Sequence, residues 1–161
     1  WRRQAIGLNL GNGAWTTDEY QRLLKFLSDA ERQRLTIELH WLDALRDQAE
    51  GGRAMAEMRE AGFKIAIDRL GIEALPLLQL ERLDADWFKL VFDKRRLPLL
   101  LQPDHLEALR RCRPERLILA QCDDKLALEL GQKLGIRHFQ GWLVDRLAKD
   151  ASDAAGTPEA A

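Results

Sequence analysis

Lys64-Ile65-Ala66-Ile67-Asp68 reads as a strand in which Ile65 and Ile67 share one face while Asp68 closes it on the other. Working outward, the same grammar recurs. Ala5 to Leu10 alternates, with Ile6, Leu8 and Leu10 on one side and Gly7 and Asn9 on the other. Leu35 to Trp41 sets Ile37 and Leu39 against Glu38. Further strands are expected over Asp86 to Phe92, Arg116 to Gln121 and Arg137 to Val144. Five helices are expected between them. One is capped by Thr17 and carries Tyr20, Leu23, Leu24 and Leu27. One runs from Leu42 to Ala61 with Leu45, Ala54, Met55 and Met58 toward the core and Gly51-Gly52 as a weak point. Shorter ones span Glu73 to Leu83, Pro103 to Leu109 and Asp124 to Leu134. Lys149 to Ala161 is small and polar and reads as a flexible tail behind a single unit over residues 1–148.

Six strands alternating with five helices mean parallel βα units, either a doubly wound sheet or part of a (βα)8 barrel. The polar residues favour the barrel. Asn9, Glu38, Asp68 and Lys89 each stand near the C-terminal end of a separate strand, and on the first three strands the apolar alternates turn the polar residue inward, as at the mouth of a barrel. Gly11-Asn12-Gly13 is too short for a dinucleotide fingerprint.

Composition bounds the function. The chain has 161 residues, 46% hydrophobic and 32% charged, with 25 basic against 26 acidic side chains. A net charge of −1 gives no electrostatic case for a nucleic-acid polymer or an anionic membrane. No apolar run approaches the roughly 18 residues of a membrane span, so any membrane tether of a full-length protein lies outside this segment. Cys112 and Cys122 have no metal-ligand spacing and read as reduced thiols of a cytoplasmic protein. His40, His105 and His138 are scattered and read as surface or core histidines. Arg110-Arg111-Cys112-Arg113 with Arg116 reads as a solvated helix end. The three oxygen donors Asn9, Glu38 and Asp68 suit Mg²⁺, Mn²⁺ or Ca²⁺ better than zinc, and Lys89 adds a charge that can hold a phosphate. The alternative is a buried ion-pair network joining Asp68 to Arg69 or Lys89.

The order of these segments resembles the EAL domain, the cyclic-di-GMP phosphodiesterase family, whose fold is a modified (βα)8 barrel. Gly7-Leu8-Asn9-Leu10 is similar to its N-L-S strand, and Glu38-Leu39-His40-Trp41 to its E-x-T-E strand end. Phe63 to Gly71 resembles I-A-I-D-D-F-G, and Asp86 to Leu90 resembles D-x-x-K-I with Lys89 at the catalytic lysine. Leu119 to Asp124 aligns with A-E-G-V-E, and Phe139-Gln140-Gly141-Trp142 with the Q-G-Y segment, where Trp142 reads as a packing aromatic. A complete barrel of this kind runs to roughly 240 residues, so the resemblance implies an incomplete barrel whose first units, with the namesake motif, are expected upstream of Trp1.

For intact members the resemblance implies two metals bridging the scissile phosphate and hydrolysis of cyclic-di-GMP to pGpG. This sequence departs at several of the implied positions. The second aspartate is Arg69, the A-E-G-V-E glutamate is Gln121, and the second E-x-T-E glutamate is Trp41, expected to pack against a helix. The loop after Asp68 is Ile72-Glu73-Ala74-Leu75-Pro76, and the aspartate two residues past Lys89 is Val91. A cation at residue 69 repels a second metal by several kcal/mol at an effective dielectric of about 20. The expectation is therefore a degenerate, non-catalytic signalling module. Either it senses cyclic-di-GMP through Lys89, Arg69 and Gln140, or it engages a protein partner or a second copy of itself. No cofactor is required, and Asn9, Glu38 and Asp68 hold at most one Mg²⁺ or Mn²⁺. The alternative is an active phosphodiesterase using Lys89.

Overall fold

The computed structural model describes residues 6–11, 13–46 and 48–155, so Trp1 to Ala5, Asn12 and the last six residues of the expected tail lie outside it. Six strands form one sheet: β1 (Ile6–Leu10), β2 (Leu35–His40), β3 (Lys64–Leu70), β4 (Trp87–Val91), β5 (Leu117–Ala120) and β6 (His138–Gln140). All neighbours pair in parallel and the spatial order follows the chain order. A doubly wound sheet reverses its strand order at a switch point; strict succession is the geometry of a barrel wall. The molecule is a half-barrel with helices on its convex side.

Pleating explains which side is which. Ile37, Leu39, Ile65, Ile67, Phe88, Leu90, Leu117 and Leu119 point outward and are buried with Met55 and Met58 in one apolar core. Their alternates line the concave side, where a trough of about 360 Å³ is bounded by Gly7, Thr36, Glu38, Lys64, Ala66, Trp87, Lys89, Ile118, His138 and Gln140. That row carries charge where a closed barrel is filled with branched apolar side chains.

The helices are α1 (Asp18–Phe26), α2 (Asp29–Arg32), α3 (Trp41–Arg46), α4 (Gln48–Glu60), α5 (Leu97–Leu100), α6 (Pro103–Arg111), α7 (Lys125–Lys133) and α8 (Trp142–Ala155). Thr17 caps α1, its hydroxyl oxygen accepting from the Tyr20 amide at 3.3 Å, and Asp124 caps α7 by accepting from the Ala127 amide at 3.0 Å. The expected helix from Leu42 begins one residue earlier, at Trp41, and helix is described over Trp41–Arg46 and Gln48–Glu60; Asp47 and the Leu45 side chain lie outside the described set. The segment expected as a helix over Glu73 to Leu83 instead forms two 3₁₀ turns, Ile72–Leu77 and Leu80–Arg82. Pro76 inside the first lacks an amide to donate, which limits the run. The sixth strand stops at Gln140 rather than Val144 because Trp142 opens α8, and α8 carries helix through Lys149–Ala155, where a loose tail is expected. Among the described residues no helix is long and apolar enough to cross a membrane.

Both cysteines are buried on the helix side. Cys112 closes α6, and Cys122 follows β5 with its thiol donating to the Leu119 carbonyl at 3.1 Å. Burial is the main force pushing each thiol up from 9.0 to about 11. The unfolded chain releases these protons first as pH rises, so it binds fewer protons than the native chain and stability falls between about pH 9 and 11. We expect both thiols to resist alkylation at pH 8 in native protein and to react in urea, and the urea midpoint to drop on raising pH through that window. Rapid native labelling, or a flat pH profile, would refute the buried-thiol assignment.

Candidate functional site at the strand ends

The C-terminal ends of the strands converge on a cavity of about 500 Å³ whose lining includes Asn9, Glu38, Asp68, Arg69, Lys89, Gln121, Gln140 and Trp142. All six residues expected at the site are therefore brought together, joined by two the sequence reading left outside the ligand set. Parallel register explains the floor. Asn9 lies opposite Glu38, Glu38 opposite Ala66, and His40 opposite Asp68, so the acids step up the wall from β2 to β3.

Lys89 is the centre. Its ammonium donates to Glu38 Oε2 at 2.7 Å and lies 3.6 Å from Asp68 Oδ1. Only 8% of the Lys89 side chain is exposed, with 14% of Glu38 and 16% of Asp68, so the three form a largely desolvated triad. The ion-pair alternative is thus present at this site. Gly7 makes it possible: a Cβ there would stand 2.3 Å from Glu38 Oε1. No feature of residue 7 alone signals this role, because the close approach comes from the next strand.

Arg69 reaches the cavity by a route that alternation does not foresee. With Asp68 facing inward, simple pleating sends Arg69 to the helix side. Instead the β3–β4 register slips between Ile67 and Leu70, which adds one residue to β3, and Arg69 takes φ 57°. This bulge keeps Leu70 buried outward while both Asp68 and Arg69 line the mouth. The Arg69 side chain is 72% exposed and its Nε lies 3.9 Å from Asp68 Oδ2. Gln121 repeats the device after β5, with φ 60° and a carbonyl that accepts from the Asp123 amide at 3.0 Å. Such backbone is uncommon for either residue type.

The remaining candidates are dispersed. The Trp41 ring stacks on His40 at 6.5 Å and packs against the core, as expected. His138 meets Trp87 edge-on at 4.7 Å in the trough, and His105 is buried in α6. Arg116 is not part of a solvated run: it donates to the carbonyls of Leu83 and Ala85 and lies 5.0 Å over the Phe88 ring. Trp142, expected to pack, is 82% exposed.

A divalent ion fits this donor set poorly. The two carboxylates already converge on an ammonium, and among the described residues no group of three His, Cys, Asp or Glu side chains is placed to hold a metal.

No family model matches the sequence, and neither does any curated protein. Solved structures do. The Bacillus subtilis YkuI protein, with an EAL domain, in complex with substrate c-di-GMP and calcium, is similar at a TM-score of 0.64 and 21% identity, over 86% of this chain and 36% of that one. The EAL domain of Mycobacterium smegmatis DcpA gives 0.62 and 18%, over 86% and 66%. The Xanthomonas citri FimX EAL domain in complex with c-di-GMP gives 0.64 and 13%, over 86% and 58%. The chain thus spans between 36% and 66% of these structures and has the fold of EAL domains, present here as a partial barrel.

Replacing Lys89 with Met leaves two partly buried carboxylates facing each other without a counter-charge. We expect a loss of about 3–5 kcal/mol in urea unfolding, the cost of removing one partner of a buried pair. A loss below about 1 kcal/mol, as for surface pairs, would show that the triad does not organise the mouth.

Proposed function

We propose that this chain is a cyclic-di-GMP-binding signalling module that does not hydrolyse its ligand. The observation that carries this reading is the arrangement around Lys89: its ammonium is held by Glu38 and Asp68 while the guanidinium of Arg69 stands beside Asp68. Support for the ligand comes from the shared fold, since YkuI and FimX are solved with c-di-GMP.

The residues divide the work by their freedom to move. Arg69 is exposed and its Nε lies 3.9 Å from Asp68 Oδ2, so its planar fork can turn to two oxygens of a phosphate. Lys89 contributes positive charge from below but stays tied to Glu38. Gln140, exposed at the end of β6, offers an amide that both donates and accepts toward a base edge. Asn9, Glu38 and Asp68 are the set that would hold a single Mg²⁺ or Mn²⁺, in competition with the Lys89 ammonium. Arg69 and Lys89 offset the charges of Glu38 and Asp68, which weakens the pull of those two carboxylates on a divalent ion. Glu38 and Asp68 both face the Lys89 ammonium, which makes them poorer bases toward a water on phosphorus. The module belongs in a cytoplasmic signalling context in which occupancy, or its loss, is read by a protein partner or a second copy.

Calorimetry with cyclic-di-GMP, paired with chromatography of the nucleotide after incubation with Mg²⁺ or Mn²⁺, tests both halves. We expect binding without pGpG, and a weakening of about tenfold or more in Arg69→Ala, the range of a charge-assisted hydrogen bond. Turnover that disappears in Asp68→Ala would establish the metal-dependent phosphodiesterase instead. Absence of heat with and without metal would leave the protein-interaction role in its place.

A further inference from the structure

We infer that Trp142 is a stacking platform for one purine ring of the bound dinucleotide, an inference that rests on the cyclic-di-GMP reading above. A tryptophan 82% exposed at the rim of a cavity is unusual, because the indole is a large apolar plate with one polar atom. Among the described residues it packs on no other aromatic ring and lies under no cation.

Exposure alone does not make a platform; the backbone that carries the indole must also be held still. Gly141 has φ 153°, and a Cβ there would come within 2.4 Å of the Cys122 amide nitrogen, so the chain crosses the end of β5 at backbone distance. The Cys122 amide donates to the Gln140 carbonyl at 3.0 Å, and the Leu143 amide donates to the Cys122 carbonyl at 3.3 Å. The Trp142 amide itself donates to Asp123 Oδ1 at 3.0 Å. Leu143 is buried, anchoring the first turn of α8 from the residue next to Trp142. The backbone on both sides of the indole is therefore tied to the β5 end while its ring faces water. A backbone fixed in advance loses little freedom on binding, and the indole has only its two side-chain torsions left to settle.

The neighbours select the ligand class. Gln121 and Gln140 line the same cavity with amide groups, and Arg69 supplies the cation. A flat apolar plate beside amides that donate and accept fits a heterocycle with a polar edge, and an adjacent guanidinium fits the phosphate attached to it. An aliphatic ligand would use the plate and strand the amides.

The test compares wild type, Trp142→Ala and Trp142→Phe by calorimetry with cyclic-di-GMP, with tryptophan fluorescence read in parallel. Because the side chain is exposed, both variants should keep the wild-type urea midpoint. We expect Trp142→Ala to bind about tenfold or more weakly, within the range of base–aromatic stacking, and Trp142→Phe to recover most of that loss. Binding should quench wild-type fluorescence, and the quench should vanish in Trp142→Phe. Unchanged affinity in Trp142→Ala would overturn the platform and leave the binding reading intact. No binding by wild type would overturn both.

Discussion

A sheet with helices on only one side must sort its residues by parity, and everything else in this molecule follows from that sorting. The outward row, from Ile37 and Leu39 through Ile65, Ile67, Phe88 and Leu90, is almost fully buried against the helices. At about 25 cal/mol per Å² of apolar surface, this row supplies the main driving force for the wall. A slip of one residue on any strand would move that row into water, so register is strongly specified. The inward row is then free to be polar. Glu38, Asp68 and Lys89 occupy it at heights set by the pairing of β2, β3 and β4, with no loop needed to place them.

The mouth that results is organised by a cation. Lys89 gathers two acids that would otherwise repel, and Gly7 supplies the gap in which one of them fits. Such a triad is costly to desolvate and costly to break, which makes it rigid rather than strongly stabilising. Arg69 then adds a second cation on the rim at an exposed position, where its charge is screened but its geometry is free. The mouth thus divides into a locked floor and an adjustable rim.

Most of this was legible because alternation is a local signal. The strands, the convex core of Ala54, Met55 and Met58, and the inward direction of Glu38, Asp68 and Lys89 all follow from period two and period 3.6. The misses share a cause. Arg69 and Gln121 take left-handed backbone that neither residue type favours, so composition carried no hint of the bulge. Gly7 and Gly141 owe their roles to atoms contributed from elsewhere in the chain, Glu38 and Cys122. Trp142 reads as a packing residue near the pocket from its place after Gln140-Gly141, whereas its ring is exposed on a backbone tied to Asp123 and Cys122. Lys149 to Ala161 reads as a tail because it is small and polar and contains Gly156 and Pro158, yet the alanines before them extend α8.

The left-handed turn at residue 69 has a further meaning for how such a mouth changes. Direction there is set by the backbone and not by the side chain, so whatever residue occupies the position is delivered to the rim. Asparagine and aspartate adopt this backbone more readily than arginine. The position therefore works as a fixed mount with an exchangeable head, and residue 121 is its counterpart on the far side of β4. A barrel wall built this way can alter the charge it shows to a ligand one residue at a time while its hydrophobic sorting stays as it is.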